Sequence, residues 1–222
     1  MIRTFILLAF FMYMHTALHA QKTFSYLALG DSYTIGESVP IYENFPYQTV
    51  QMLRSKGIQI HAPEIVARTG WTTDELMAGM QKISLLKSYD IVSLLIGVNN
   101  QYRGRNIEEF GKQFEELLNK ALILSGNRRE HVFVISIPDW GATPFAEGRD
   151  RKKIANEIDA FNALKKEITE KHKIRYIEIT EGSREVSSDV TLVAKDKLHP
   201  SGKEYAKWAE KLSLAILERV KL

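Results

Sequence analysis

Gly30-Asp31-Ser32 closes the apolar run Leu27-Ala28-Leu29, so a serine stands where an expected strand ends. Far along the chain, Asp196-Lys197-Leu198-His199 puts a carboxylate and an imidazole three residues apart, just before Pro200-Ser201-Gly202. A serine hydroxyl is a weak nucleophile until an imidazole takes its proton, and the imidazole needs a carboxylate to fix its tautomer and stabilise its charged form. Serine attack on a carbonyl also needs donors aimed at the developing oxyanion, each worth about 3–4 kcal/mol of transition-state stabilisation. The backbone N–H groups of Ser32 and Gly70 and the side-chain amide of Asn99 are suitable donors. Gly70 has no Cβ, so a substrate can approach its backbone closely.

Each of these residues also has an ordinary reading. Ser32 alone is equally a turn or helix-cap serine, Gly70 and Gly97 are equally turn glycines, and Asn99 or Asn100 can simply cap or turn the chain. His199 competes with His61, His131 and His172, which read as structural or exposed residues at strand and helix ends. Only His199 has an aspartate at short spacing and a helix start behind it.

The elements that must position these residues follow from hydrophobic period. Strands are expected over Phe24 to Leu29, Ile58 to Ala67, Ile91 to Ile96, Val132 to Ile137 and Ile174 to Ile179, and their continuous apolar character suits strands covered on both faces. Helices are expected from Pro46 to about Lys56, from Thr72, after Asn106, near Arg151 and over about Ser201 to Arg219. Thr72 with Glu75 and Ser201 with Glu204 have capping-box spacing. In the helix near Arg151, Ile154, Ile158, Phe161 and Ile168 are expected inward, with Lys152, Lys153, Lys165 and Lys166 on a solvated face. The alternation implies a parallel, doubly wound α/β sheet with helices on both faces. Ligands in such sheets bind beyond the carboxyl ends of the strands, where the Ser32, Gly70 and Asn99 stretches begin.

Composition narrows the class. The 222 residues are 45% hydrophobic and 26% charged, enough for one sizeable core, and neither repeat nor linker marks a second domain. Lys and Arg number 30 against 27 Asp and Glu, and a net charge of +3 is too small and dispersed for a nucleic-acid partner. The absence of cysteine excludes thiol catalysis, disulfides and Cys-ligated zinc. Met1 to Ala20 has Arg3, an apolar run from Phe5 to Tyr13, and Leu18-His19-Ala20, the layout of a secretory signal cleaved near Ala20. Leu18 stands where a small residue is preferred, so an uncleaved anchor is the alternative. The apolar run falls short of the roughly 20 residues a spanning helix needs, and His15 and His19 interrupt the segment. Export of residues 21–222 as one domain, with no stable membrane insertion, is the expectation.

Gly30-Asp31-Ser32, Gly70, Gly97-Val98-Asn99 and Asp196-Lys197-Leu198-His199, in this order, resemble the four motif blocks of the SGNH/GDSL hydrolases over essentially the whole chain after the leader. The resemblance implies a three-layer α/β/α, flavodoxin-like fold with sheet order 2-1-3-4-5, and hydrolysis of carboxylic esters through a serine acyl-enzyme without metal or cofactor. By position, Ser32 is the nucleophile, Gly70 and Asn99 oxyanion donors, His199 the base and Asp196 its partner. Two positions depart from the family pattern: Asn100 stands where Asp is usual, and Tyr33 where Leu is usual. The α/β-hydrolase elbow does not fit, because Gly30-Asp31-Ser32-Tyr33-Thr34 lacks the second glycine.

Substrate is less legible. Trp71, Tyr102, Arg103, Trp140 and Phe145 fall on loops expected at the same edge, where they either wall an acyl or sugar pocket or pack the loops, while Asp139 reads as a turn residue. The ester is expected to be a simple acyl ester, a lysophospholipid or an acetylated sugar, handled by a monomer. An acyltransferase using the same serine and a catalytically silent carbohydrate-binding module are the competing readings.

Overall fold

The computed structural model describes residues 22–220. The leader Met1–Ala20 lies outside the described residues. Each apolar run becomes a strand and each amphipathic stretch a helix. In chain order these are β1 (Tyr26–Asp31), α1 (Ser32–Ile35), α2 (Phe45–Ser55), β2 (Glu64–Arg68), α3 (Thr73–Met80), β3 (Ile91–Leu95), α4 (Val98–Tyr102), α5 (Ile107–Leu124), β4 (Val132–Ile135), α6 (Arg151–Lys171), β5 (Arg175–Ile177), α7 (Thr180–Ser183) and α8 (Gly202–Arg219). Short 3-10 turns join them.

The five strands form one parallel sheet in the order β2-β1-β3-β4-β5. In the centre Leu29 pairs with Val66 on one side and Leu94 on the other. Residues of β1, β3 and β4 are buried without alternation, because helices cover both faces. Helix α2 packs against α8, and α5 packs against α3 and α6. Phe45, Tyr205 and Trp208 meet between α2 and α8 with ring centroids 5.2–6.4 Å apart. Such ring pairs add about 0.5–1.5 kcal/mol each beyond their buried area.

The strand ends differ from the sequence expectation for identifiable reasons. The second strand begins at Glu64, after Pro63, with a single parallel bridge from Phe24 to Ile60 upstream. Proline has no N–H to give the ladder, so pairing restarts beyond it. The first strand runs on to Asp31, where its carboxylate takes over as the N-cap of α1 and accepts from Tyr33 N at 3.0 Å.

At α3 the expected reciprocal cap forms, with Thr72 N donating to Glu75 Oε2 at 2.9 Å. At α8 only half of it forms. Ser201 Oγ accepts from Glu204 N at 3.4 Å, but the Glu204 carboxylate turns inward to accept from Trp208 Nε1 at 2.9 Å.

Lys165 corrects an expectation. It lies within the core, fully buried, rather than on the solvated face of α6. Its Nζ donates to Ile135 O at 2.7 Å and Ile96 O at 3.0 Å, both at the carboxyl ends of strands. The sheet thus supplies acceptors that the helix pattern could not reveal.

Candidate active site

Strand ends gather the stretches singled out in the sequence. A cavity of about 180 Å³ is lined by Ser32, Tyr33, Thr69, Gly70, Val98, Asn99, Tyr102, Trp140, Phe145, Leu198 and His199. Ser32 opens α1 at the end of β1, Gly70 follows β2, Asn99 lies in α4 after β3, and Trp140 follows β4. The first N–H groups of a helix have no intrahelical partner, so Ser32 presents its amide as well as its hydroxyl. Gly70 sits at φ +83°, the left-handed region that glycine occupies without strain.

Asp196 is held by four donors. Its Oδ1 accepts from the backbone N–H groups of Leu198 and His199, both at 3.0 Å, and its Oδ2 accepts from Ser38 Oγ at 2.7 Å. The fourth contact joins His199 Nδ1 to Oδ2, also at 2.7 Å. Burial alone would push this carboxyl up, but the bonds from Ser38, His199 and the two amides outweigh it and hold the pKa at about 2. Asp196 is therefore a carboxylate at any working pH and fixes the tautomer that leaves His199 Nε2 as acceptor. The Tyr33 ring packs beside the imidazole, 4.8 Å between centroids. Among the described residues no hydrogen bond joins Ser32 to His199, although both line the cavity. Contacts of this kind commonly tighten only when substrate is bound.

Beneath the serine lies a buried polar layer that sequence reasoning missed. Asp31 is fully buried, and its Oδ2 accepts from Asn99 Nδ2 at 3.4 Å. A shorter bond at 3.1 Å ties the same amide to Trp71 O. Burial pushes the Asp31 carboxyl well above the usual carboxylate range, and the Tyr33 amide and the Lys165 ammonium pull against it. Reciprocally, burial lowers Lys165, and Asp31 opposes that shift. Ser38 was missed as well, since its tie to Asp196 spans 158 residues and leaves no local signal.

Asn100 acquires a role from its amide. Its Oδ1 accepts from Thr73 N at 3.1 Å and its Nδ2 donates to Thr73 Oγ1 at 2.8 Å, while that hydroxyl donates onward to Gln113. A carboxylate here could not donate to a hydroxyl already committed to Gln113, so Asn suits this network. It fastens the Asn99 loop to the start of α3.

The aromatic residues divide. Tyr102, Trp140 and Phe145 form one wall of the cavity, with Tyr102 and Trp140 centroids 5.2 Å apart. Gln101 accepts from Trp140 Nε1 at 2.7 Å and is itself tied to Glu157 at 2.7 Å, which fixes the indole. Trp71 does not line the cavity. Its indole lies over Gly79 of α3, where a Cβ would come within 2.1 Å of it, and it serves the site through its carbonyl. Arg103 donates to Gly70 O and pairs with Glu75 at 3.1 Å. Asp139 caps the turn Trp140–Ala142, accepting from Gly141 N at 2.8 Å, and pairs with Arg184 at 2.9 Å.

Comparison with known proteins places this geometry. No curated protein sequence matches the chain. Solved structures that share its fold include a lipase/acylhydrolase from Enterococcus faecalis, with TM-score 0.69 and 19% identity over 90% of this chain and 98% of that one. TesA aligns with TM-score 0.67 and 16% identity, covering 86% and 97% of the two chains. Axe2, an acetylxylan esterase from Geobacillus stearothermophilus, aligns with TM-score 0.66 and 18% identity, covering 91% and 96%. The profile of the GDSL-like Lipase/Acylhydrolase family matches residues 28–207, a span that contains every residue of the cavity, and the chain belongs to that family of ester hydrolases.

Proposed function

We propose that the chain is an exported, monomeric serine esterase, one domain over residues 21–222, that hydrolyses carboxylic esters through an acyl-enzyme on Ser32. The observation that carries this reading is the cavity itself. Ser32, Gly70, Asn99 and His199 line it together, and Asp196 bonds the far nitrogen of the imidazole.

His199 Nε2 takes the hydroxyl proton as Ser32 Oγ attacks the ester carbonyl, and Asp196 stabilises the imidazolium that results. The carbonyl oxygen becomes an oxyanion that accepts from the N–H groups of Ser32 and Gly70 and from the Asn99 amide. On collapse the C–O bond to the alcohol breaks, and the alcohol leaves with the proton from His199. Water then repeats the sequence: His199 removes its proton, it attacks the acyl carbon, and Ser32 is released with the acid. The apolar wall of Tyr102, Trp140 and Phe145 suits an acyl group or a sugar face, with the ester a simple acyl ester, a lysophospholipid or an acetylated sugar.

The test is hydrolysis of 4-nitrophenyl acetate and butyrate by the purified chain and by Ser32→Ala, with folding checked by circular dichroism. Loss of turnover in a folded Ser32→Ala protein is expected, and equal rates would overturn the assignment. Free acid rather than a transferred acyl group identifies water as acceptor. Export is tested by recovering from outside the cytoplasm a chain whose N-terminal sequence begins near Gln21.

A further inference from the structure

The strand ends beneath the cavity hold the buried side-chain nitrogen of Lys165. Lys165 reaches from α6 across the top of the sheet, and its Nζ donates to Ile96 O at 3.0 Å and Ile135 O at 2.7 Å. The Phe114 ring of α5 lies 5.5 Å from it. Ile96 immediately precedes Gly97-Val98-Asn99, and Ile135 ends the strand that leads to Trp140. A single side-chain nitrogen therefore bonds the two strand ends from which the Asn99 loop and the Trp140 wall depart. On the neighbouring strand the buried Asp31 faces the same layer and accepts from Asn99 Nδ2. Asn99 thus stands in a chain of contacts, below through Asp31 and behind through Ile96 and Gly97.

A lysine nitrogen in the core is costly to desolvate unless its donors are used. Leucine or methionine at this position would fill the space without that cost, so packing alone does not explain a lysine. We propose that Lys165 is a positioning residue for the oxyanion hole: by binding Ile96 O it fixes the Gly97–Asn99 turn so that the Asn99 amide points at the developing oxyanion. Gly97 lies at φ +128°, and the carbonyl that Lys165 binds immediately precedes it, so an anchor there bears directly on the turn. This rests on the assignment of Asn99 as an oxyanion donor.

The decisive measurement is a double-mutant cycle on kcat. Lys165→Met, Asn99→Ala and the double variant are compared on 4-nitrophenyl acetate, with thermal melts on each. If Lys165 acts through Asn99, Lys165→Met lowers kcat about tenfold or more with KM little changed. The loss then largely disappears in the Asn99→Ala background. Losses that multiply, or wild-type kcat in folded Lys165→Met, overturn the proposal. Lys165→Gln, which keeps an N–H donor without the charge, is carried through the same cycle and reads the coupling if the Met variant does not fold. An intermediate kcat with partial coupling to Asn99 supports the role, and a loss independent of Asn99 refutes it. Ser32→Ala separates the two levels of argument: if it retains turnover, the mechanism itself fails, whereas an additive cycle beside an inactive Ser32→Ala removes only the role of Lys165.

Discussion

Asn99→Ala should separate catalysis from stability. The Asn99 amide is only half-buried, and its one short bond is to Trp71 O at 3.1 Å, the contact with Asp31 being longer at 3.4 Å. Removing a side chain to backbone bond of this kind costs about 1 kcal/mol of stability. For a chain of this length that lowers Tm by about 2–4 °C. If Asn99 is an oxyanion donor as proposed, its amide also donates to an oxyanion that exists only near the transition state, and loss of one such donor costs about 2.7–4 kcal/mol. At 1.36 kcal/mol per decade this is a fall of about 10²–10³ in kcat, with KM little changed because the ground-state ester gains little from the donor. The assay is steady-state hydrolysis of 4-nitrophenyl esters beside a thermal melt of the same preparation. A kcat within threefold of wild type would refute the placement of Asn99 in the oxyanion hole. A drop in Tm far beyond the expected few degrees would instead attribute the rate loss to collapse of the loop.

Other perturbations test separate parts of the site. Asp196 is held at about 2, below the ordinary carboxylate value of about 3.9, so its contribution to stability is complete above about pH 4 and is lost as pH falls towards 2. Ser38→Ala removes one of its donors, so the carboxyl rises towards its ordinary value and the stability lost as pH falls from about 4 towards 2 shrinks; melts from pH 2 to 7 read this, and an acid loss as large as that of the wild type would show that the hydroxyl contributes nothing. Gly30→Ala places a Cβ 2.1 Å from Thr34 Oγ1 and 2.3 Å from Leu95 O, and the latter is backbone that cannot turn away. Overpacking of this severity costs about 3 kcal/mol or more, measurable by urea denaturation. Trp140→Ala opens the cavity wall, so kcat/KM should fall for acetyl esters and rise relative to them for longer acyl chains; an unchanged chain-length profile would remove Trp140 from the acyl pocket.

Much of the fold was legible because its signals are local. Leu27-Ala28-Leu29 and, apart from Ser93, Ile91 to Ile96 are apolar since both faces of the sheet are covered, and Thr72 with Glu75 marks a helix start through contacts three residues apart. The serine, glycine, asparagine and histidine stretches could be read onto one edge because parallel strands all end on the same side. What the sequence concealed depends on long-range contacts. Ser38 at φ 66° meets Asp196 only after folding, and Asp31 reads as a cap residue until the sheet and α6 bury it. Trp71 looked like a wall residue because of its loop, yet Gly79 opens a slot on α3 that takes its indole.

Lys165 is the instructive error, because its spacing was right and its chemistry misled. Ile154, Ile158, Phe161, Lys165 and Ile168 are separated by four, three, four and three residues, so position alone places Lys165 on the buried stripe of α6. Residue type sent it outward, since lysine is rarely buried unless paired. The two criteria disagree at this one position of the stripe. The structure resolves the disagreement by supplying two carbonyl acceptors at strand ends. A charged residue at the apolar phase of an amphipathic helix is thus a statement about what the helix faces. Here it faces the carboxyl edge of a parallel sheet, where carbonyls without a ladder partner converge and where ligands of such folds bind. The conflict between phase and polarity in α6 therefore points from the helix to the same edge that Ser32, Gly70 and Asn99 mark from the strands.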